Sequence, residues 1–190
     1  HEQPVQDILL ACDSLRTADV FELVTLKVNE QTLKVETGPY WLKIPLDSPL
    51  QRGDSISLEL EYKLQLPSIP EPADDRKPTI FGYTPLQTNF ADWYPMIVPR
   101  NAQGEWVLHE PWFYGEYLVY DLADFHIEIE ILNPVDNLTI AASAVPYRYD
   151  PNYYYYQHDL ARNFVWSISP SYLSSTVNVG EVTITSFYFP

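Results

Sequence analysis

"SISLELEYKLQL", residues 55 to 66, decides the fold. Ile56, Leu58, Leu60, Tyr62, Leu64 and Leu66 fall on one side of an extended chain, and Ser57, Glu59, Glu61, Lys63 and Gln65 on the other. Successive side chains of a strand point to opposite faces, whereas a helix would scatter this pattern around its axis. The stretch therefore predicts a half-buried antiparallel strand. "DFHIEIEIL", residues 124 to 132, repeats the alternation, with Phe125, Ile127, Ile129 and Ile131 inward and His126, Glu128 and Glu130 outward. His126 is then a solvated strand residue. Leu58, Leu60, Tyr62, Phe125, Ile127, Ile129, Trp166 and Ile184 are expected in the core, and Glu59, Glu61, Glu128 and Glu130 at the surface.

Outward from these two runs the same texture continues. "FELVTLKV", "TLKVET", "YWLKIPL", "NLTIAAS", "NFVWSIS" and "EVTITSFYF" are rich in β-branched and aromatic residues and bounded by Gly, Pro, Asn or Asp. No amphipathic helix interrupts them, and 17 prolines suit strand boundaries better than helix interiors. The expected fold is all-β, a two-sheet antiparallel β-sandwich, with residues 1–190 forming a single domain. Two proline-, glycine- and charge-rich stretches, "PSIPEPADDRKPTIFGYTP" (67–85) and "MIVPRNAQGEWVLHEPWFYGEY" (96–117), read as long surface connections.

Composition narrows the function classes. The net charge is -15, and from Asn101 onward only Arg148 and Arg162 are basic. Such a field repels phosphate backbones and anionic lipid surfaces, so nucleic acid is not an expected partner. No segment approaches the ~20 apolar residues of a membrane span. The single cysteine, Cys12, permits no internal disulfide and reads as a small buried residue of a strand.

Local chemical signals are thin. His109-Glu110 in "VLHEPWF" begins like the HExxH signature of zinc peptidases, but Phe113 stands where the second histidine belongs and Pro111 opposes the helix that would display the pair. Metal is thus expected to be absent from this chain. Glu128 with Glu130 share the polar side of a strand, Asp74-Asp75 sit beside Arg76 and Lys77, and Asp121 with Asp124 lack a catalytic setting, so all three acid pairs read as solvated. No G-x-S-x-G elbow or reactive-cysteine setting appears, and His158 has no assignable nucleophile. Asn137-Leu138-Thr139 is an acceptor sequence for N-glycosylation in a glycosylating host. The run Tyr153 to Tyr156 reads either as strand alternation, half of it packed inward, or as an aromatic platform for sugar rings.

The ordered set "LQRGDSISLELEYKLQLP", "FGY" followed by "WYP", "GEYLVYDLADFHIEIEIL", "LTIAAS", "RNFVWSISPSY" and "VTITSFYFP" resembles the N-terminal β-sandwich domain of the gluzincin aminopeptidases, the family of aminopeptidase N and leukotriene hydrolase. The resemblance runs from about Phe21 to Pro190. It implies an all-β platform without chemistry of its own, followed downstream of residue 190 by a catalytic domain that holds zinc. The implied partners are that catalytic domain and, through it, a peptide substrate. In this family an Ala-Arg-Arg stretch precedes Phe-Pro-Cys and an acidic residue, and a Gln or Glu about ten residues earlier reaches the substrate's amino group. Here Trp93, Tyr94 and Pro95 stand at the aromatic-Pro core, while the arginines and the cysteine are absent. The Gln position falls on Thr84 or Gln87. The resemblance thus implies that Thr84, Gln87 and Asn89, with Trp93, Tyr94, Trp112 and Phe113, face the substrate or the catalytic domain. A carbohydrate-binding or protein-interaction β-sandwich module is the alternative.

Overall fold

The computed structural model describes residues 4–12, 15, 19–69, 80–110, 118–150 and 152–190. Among them it contains sixteen strands and no α-helix, all in antiparallel ladders. The all-β antiparallel sandwich class read from the sequence is the class observed. The described residues divide into two compact units, one of residues up to 67 and 92–121, the other of 68–69, 80–91 and 122 onward.

In the first unit, β1 (Val5–Ala11), β4 (Glu36–Thr37), β5 (Trp41–Leu50) and β9 (Met96–Ile97) form a sheet in the order β4-β5-β1-β9. A second sheet has the order β3-β2-β6, from β2 (Phe21–Val28), β3 (Gln31–Thr32) and β6 (Leu58–Leu64). Ile8, Leu10, Leu42 and Ile44 of the first sheet pack with Leu26 and Val28 of the second, and Leu58 and Leu60 close on this cluster. The alternation of residues 55–66 is thereby explained, since its apolar side is one wall of the sandwich.

The strand "FELVTLKV" is less regular than its composition suggests. Leu23 pairs with Tyr62 and Thr25 with Glu61, so Val24 is an extra residue. This bulge moves Phe21 and Leu23, then Leu26 and Val28, onto one face, and leaves Val24 exposed. The other face of β1 is buried as well, because Leu9 and Ala11 pack with Val98, Trp41, Trp106, Leu108 and Leu118. Residues 96–108 were expected to lie on the surface as connection. They instead cover the back of β1, because Val98, Trp106 and Leu108 are too apolar to leave in water. The other expected connection is also partly ordered into a sheet, through Gly82–Tyr83; its residues 70–79, including Asp74-Asp75, lie outside the described residues.

In the second unit, β7 (Gly82–Tyr83), β8 (Thr88–Phe90), β11 (Thr139–Ala142) and β14 (Trp166–Ser169) form a sheet in the order β11-β14-β8-β7. β10 (Ala123–Glu130), β12 (Pro146–Asp150) and β13 (Tyr153–Ala161) make the sheet β10-β13-β12. β15 (Leu173–Val179) and β16 (Val182–Tyr188) make a two-stranded ribbon. Phe125, Ile129, Tyr156 and Phe164 are buried, with the Tyr156 and Phe164 rings 5.4 Å apart. Ile127 and Trp166 are half-buried, and Glu128 and Glu130 exposed. Ile184 departs from expectation, being 49% exposed, because nothing among the described residues covers its side of the ribbon. The tyrosine run follows strand alternation. Tyr156 points into the core, while Tyr155 receives the Arg148 guanidinium at 5.2 Å and Tyr153 donates to Glu130 at 2.6 Å.

Candidate partner-facing site

Thr84, Gln87 and Asn89 come together in the second unit on the β7–β8 hairpin. The Thr84 amide donates to the Gln87 carbonyl at 2.8 Å, closing a turn with Pro85 and Leu86 at its tip. Pro85 presets the backbone angle that the first tip position requires. The Thr84 hydroxyl accepts the amides of Leu86 and Gln87 at 3.2 and 3.1 Å, so it is spent on its own turn. Ser169, fully buried, donates to the Leu86 carbonyl at 2.6 Å and pins the tip to β14.

Gln87, the residue before β8, and Asn89 within it lie two residues apart along extended chain and so share a face. The Tyr172 hydroxyl donates to Gln87 Oε1 at 2.7 Å, and Ser167 Oγ lies 2.6 Å from both Tyr172 Oη and Asn89 Oδ1. The Thr88 carbonyl adds a further acceptor 3.1 Å from Ser167 Oγ. Two hydroxyl protons serve more acceptors than they can saturate at once, so the cluster holds Gln87 as a cooperative network rather than by one bond. Tyr172 fixes the plane of the Gln87 amide and leaves its oxygen a second lone pair. The opposite face is apolar, with Phe90 stacked on Trp166 at 3.8 Å.

Trp93 and Tyr94 belong to the first unit, in a short arch between two anchors. Asp92 is left-handed at φ 48, its carbonyl accepts the Cys12 thiol at 3.0 Å, and its carboxylate accepts the Tyr120 hydroxyl in a short bond. At the other end, Met96 and Ile97 pair with Ala11 and Leu10 of β1. Between these anchors the two rings meet edge to face at 4.8 Å, both half-buried. Burial, and then the neighbouring Asp92 charge, push the Tyr120 phenol well above its ordinary range, so it stays a hydrogen-bond donor. Tyr62 is likewise pushed up by burial. Cys12 is 1% exposed, just beyond the end of β1. Trp112 and Phe113 lie outside the described residues.

A polar groove of about 410 Å³ in the first unit is lined by Asp7, Arg100, Gly104 and Trp106. Arg100 donates to the Gly104 carbonyl at 2.7 Å and lies over the Trp106 ring, and Trp106 donates to Asp7 at 2.8 Å. These contacts brace the loop over β1. His109 and Glu110 are exposed, and among the described residues no three His, Cys, Asp or Glu side chains converge as a metal site. Sequence reasoning missed Tyr172, Ser167 and Asp92, which orient the candidate residues.

These β-sheets have a fold found in M1 zinc metallopeptidases. The crystal structure of a two-domain M1 zinc metallopeptidase mutant bound to L-tryptophan matches with a TM-score of 0.52 at 12% identity. An M1 zinc metallopeptidase mutant from Deinococcus radiodurans bound to a Tyr-Ser-Ala substrate matches with a TM-score of 0.51 at 12% identity. The M1 zinc metallopeptidase from Deinococcus radiodurans matches with 0.52 at 11%. Each match covers 97% of this chain, which spans about 40% of the length of those chains. No protein-family model matches the sequence, and no curated protein does.

Proposed function

We propose that these 190 residues are the non-catalytic N-terminal domain of an aminopeptidase-like zinc metallopeptidase, which buttresses the catalytic domain and helps shape the peptide site. The observation that carries this reading is the match of 97% of the chain to 40% of zinc metallopeptidase chains. Zinc belongs, on this reading, to the catalytic domain, where it would activate a water for attack on the peptide bond. Trp93, Tyr94, Trp112 and Phe113 are proposed to contact that domain.

Of the two candidates for the substrate's amino group, Gln87 is the better one. An ammonium needs a hydrogen-bond acceptor at a fixed position, and Gln87 keeps a free lone pair on an oriented amide while Thr84 is consumed by its turn. The test is Gln87→Ala in the natural polypeptide that contains this sequence, assayed on aminoacyl and N-acetylated substrates. KM for the free-amine substrate should rise by about tenfold, with kcat for any acetylated substrate unchanged, the size expected for one hydrogen bond to a charged group. Tyr172→Phe should give a smaller rise in the same direction. Unchanged KM in both variants removes Gln87 from the site.

A further inference from the structure

The terminal ribbon poses a problem that no other strand pair in the second unit poses. In the β15–β16 register Leu173 faces Tyr188, Val177 faces Ile184 and Val179 faces Val182. These six side chains share one face with the Ser175–Ser186 pair, and each of the six is 46–62% exposed. The other face is polar, with Thr176 and Thr185 bonded at 3.0 Å and Thr183 donating to Asn178 at 2.8 Å. Its Phe187, together with Phe189, stays near Tyr172, at 6.1 and 5.0 Å, which anchors the root of the ribbon and leaves the apolar face open. Among the described residues the two strands pair only with each other. A two-stranded ribbon is marginal in water, and a face that exposes six large apolar side chains marks an interaction surface.

Charge identifies the occupant. Glu181, in the turn, is the one charged side chain in residues 173–190 of a chain that carries 26 acidic residues. Depletion of charge is the mark of an interface core. A second copy would bring another net charge of -15 against the first. A domain of the same polypeptide acts at a high effective concentration, which offsets such a cost. More than half of each matched metallopeptidase chain lies outside the match.

Resting on the function proposed above, we infer that the apolar face of β15–β16 is a docking surface for the catalytic domain downstream in the same polypeptide. The test compares amide hydrogen exchange across residues 173–188 in the 190-residue chain and in the natural polypeptide. Exchange should be at least about tenfold slower in the longer protein. Val177→Lys combined with Ile184→Glu, which places opposite charges across the ribbon, should leave the melting of the 190-residue chain unchanged, since both sites are exposed, and should return the ribbon of the longer protein to the fast rate. Equal exchange in the two proteins overturns the inference. So does a dimer of the 190-residue chain, seen by sedimentation, that the same variant dissociates. A longer protein that hydrolyses peptides with a fast-exchanging ribbon sinks the docking surface alone. A protected ribbon without zinc or peptidase activity supports the surface and sinks the peptidase reading.

Discussion

The pairs β1–β5 and β15–β16 both carry Ile, Leu and Val, yet β1 is covered on both faces while the apolar face of the ribbon lies open among the described residues. Ile44 is 0% exposed and Leu10 2%, whereas Val177 and Ile184 are 55% and 49% exposed. β1 is covered by the β2–β6 sheet on one side and by residues 96–108 on the other. The ribbon has no such cover among the described residues. The first pair is apolar because it holds its own unit together. The second is apolar without stabilising its own unit, and the most economical cause is a surface elsewhere.

The largest effect that separates the pairs is cavity formation. Ile44→Ala should cost about 3–4 kcal/mol in denaturant unfolding of the 190-residue chain, while Ile184→Ala should cost under about 0.5. Equal costs would mean that the ribbon face is covered within the chain itself.

An alkaline titration extends the comparison to the buried tyrosines. Burial, with a smaller contribution from Tyr154, pushes Tyr156 up to about 12 from 10. An acid whose folded value is raised contributes stability that is whole below its unfolded value and is lost as pH climbs through the folded one. The melting temperature should therefore fall between pH 10 and 12, and Tyr156→Phe should flatten that slope. A pH-independent midpoint would place the phenol in water. Tyr62 and Tyr120 add to the loss in the same direction.

A smaller effect belongs to a single cap. The β10–β13 register slips near Ala123, Leu160 adopts φ 51, and the Asp124 carboxylate accepts the Leu160 amide at 2.8 Å. Asp124→Ala should cost about 1 kcal/mol, because exposed Leu160 can recover part of the bond from water. Glu128→Ala, on the open side of the same strand, should cost under about 0.5. The smallest expected effect is on sugars. Tyr153 and Tyr155 are committed to Glu130 and Arg148, so a glycan titration should show no saturation. Saturable binding lost in Tyr155→Ala would install the carbohydrate-binding alternative.

How much of this was legible depends on what covers each strand. β6 and β10 alternate cleanly, because one face meets the core and the other water, and they were read correctly. β1 carries the unbroken run Ile8 to Cys12, which has no period because both faces are buried. The bulge at Val24 shows in the sequence as a broken period, Leu23-Val24, that composition alone does not interpret. For β16 the alternation was right and the burial of Ile184 was wrong, since periodicity identifies an apolar side without saying what lies against it. At the site, spacing left Thr84 and Gln87 open, and the turn distinguishes their side chains. Tyr172 stands 85 residues from Gln87, a separation that no local pattern bridges.

The central claim is that these residues are the platform of a zinc peptidase whose metal lies elsewhere in the polypeptide, and metal content tests it most directly. The natural polypeptide and the 190-residue chain should be dialysed together and assayed for bound zinc. The account predicts about one equivalent in the former, with peptide hydrolysis abolished by chelation, and less than about one-tenth in the latter. Stoichiometric zinc in the 190-residue chain, or none in the natural polypeptide, would contradict it.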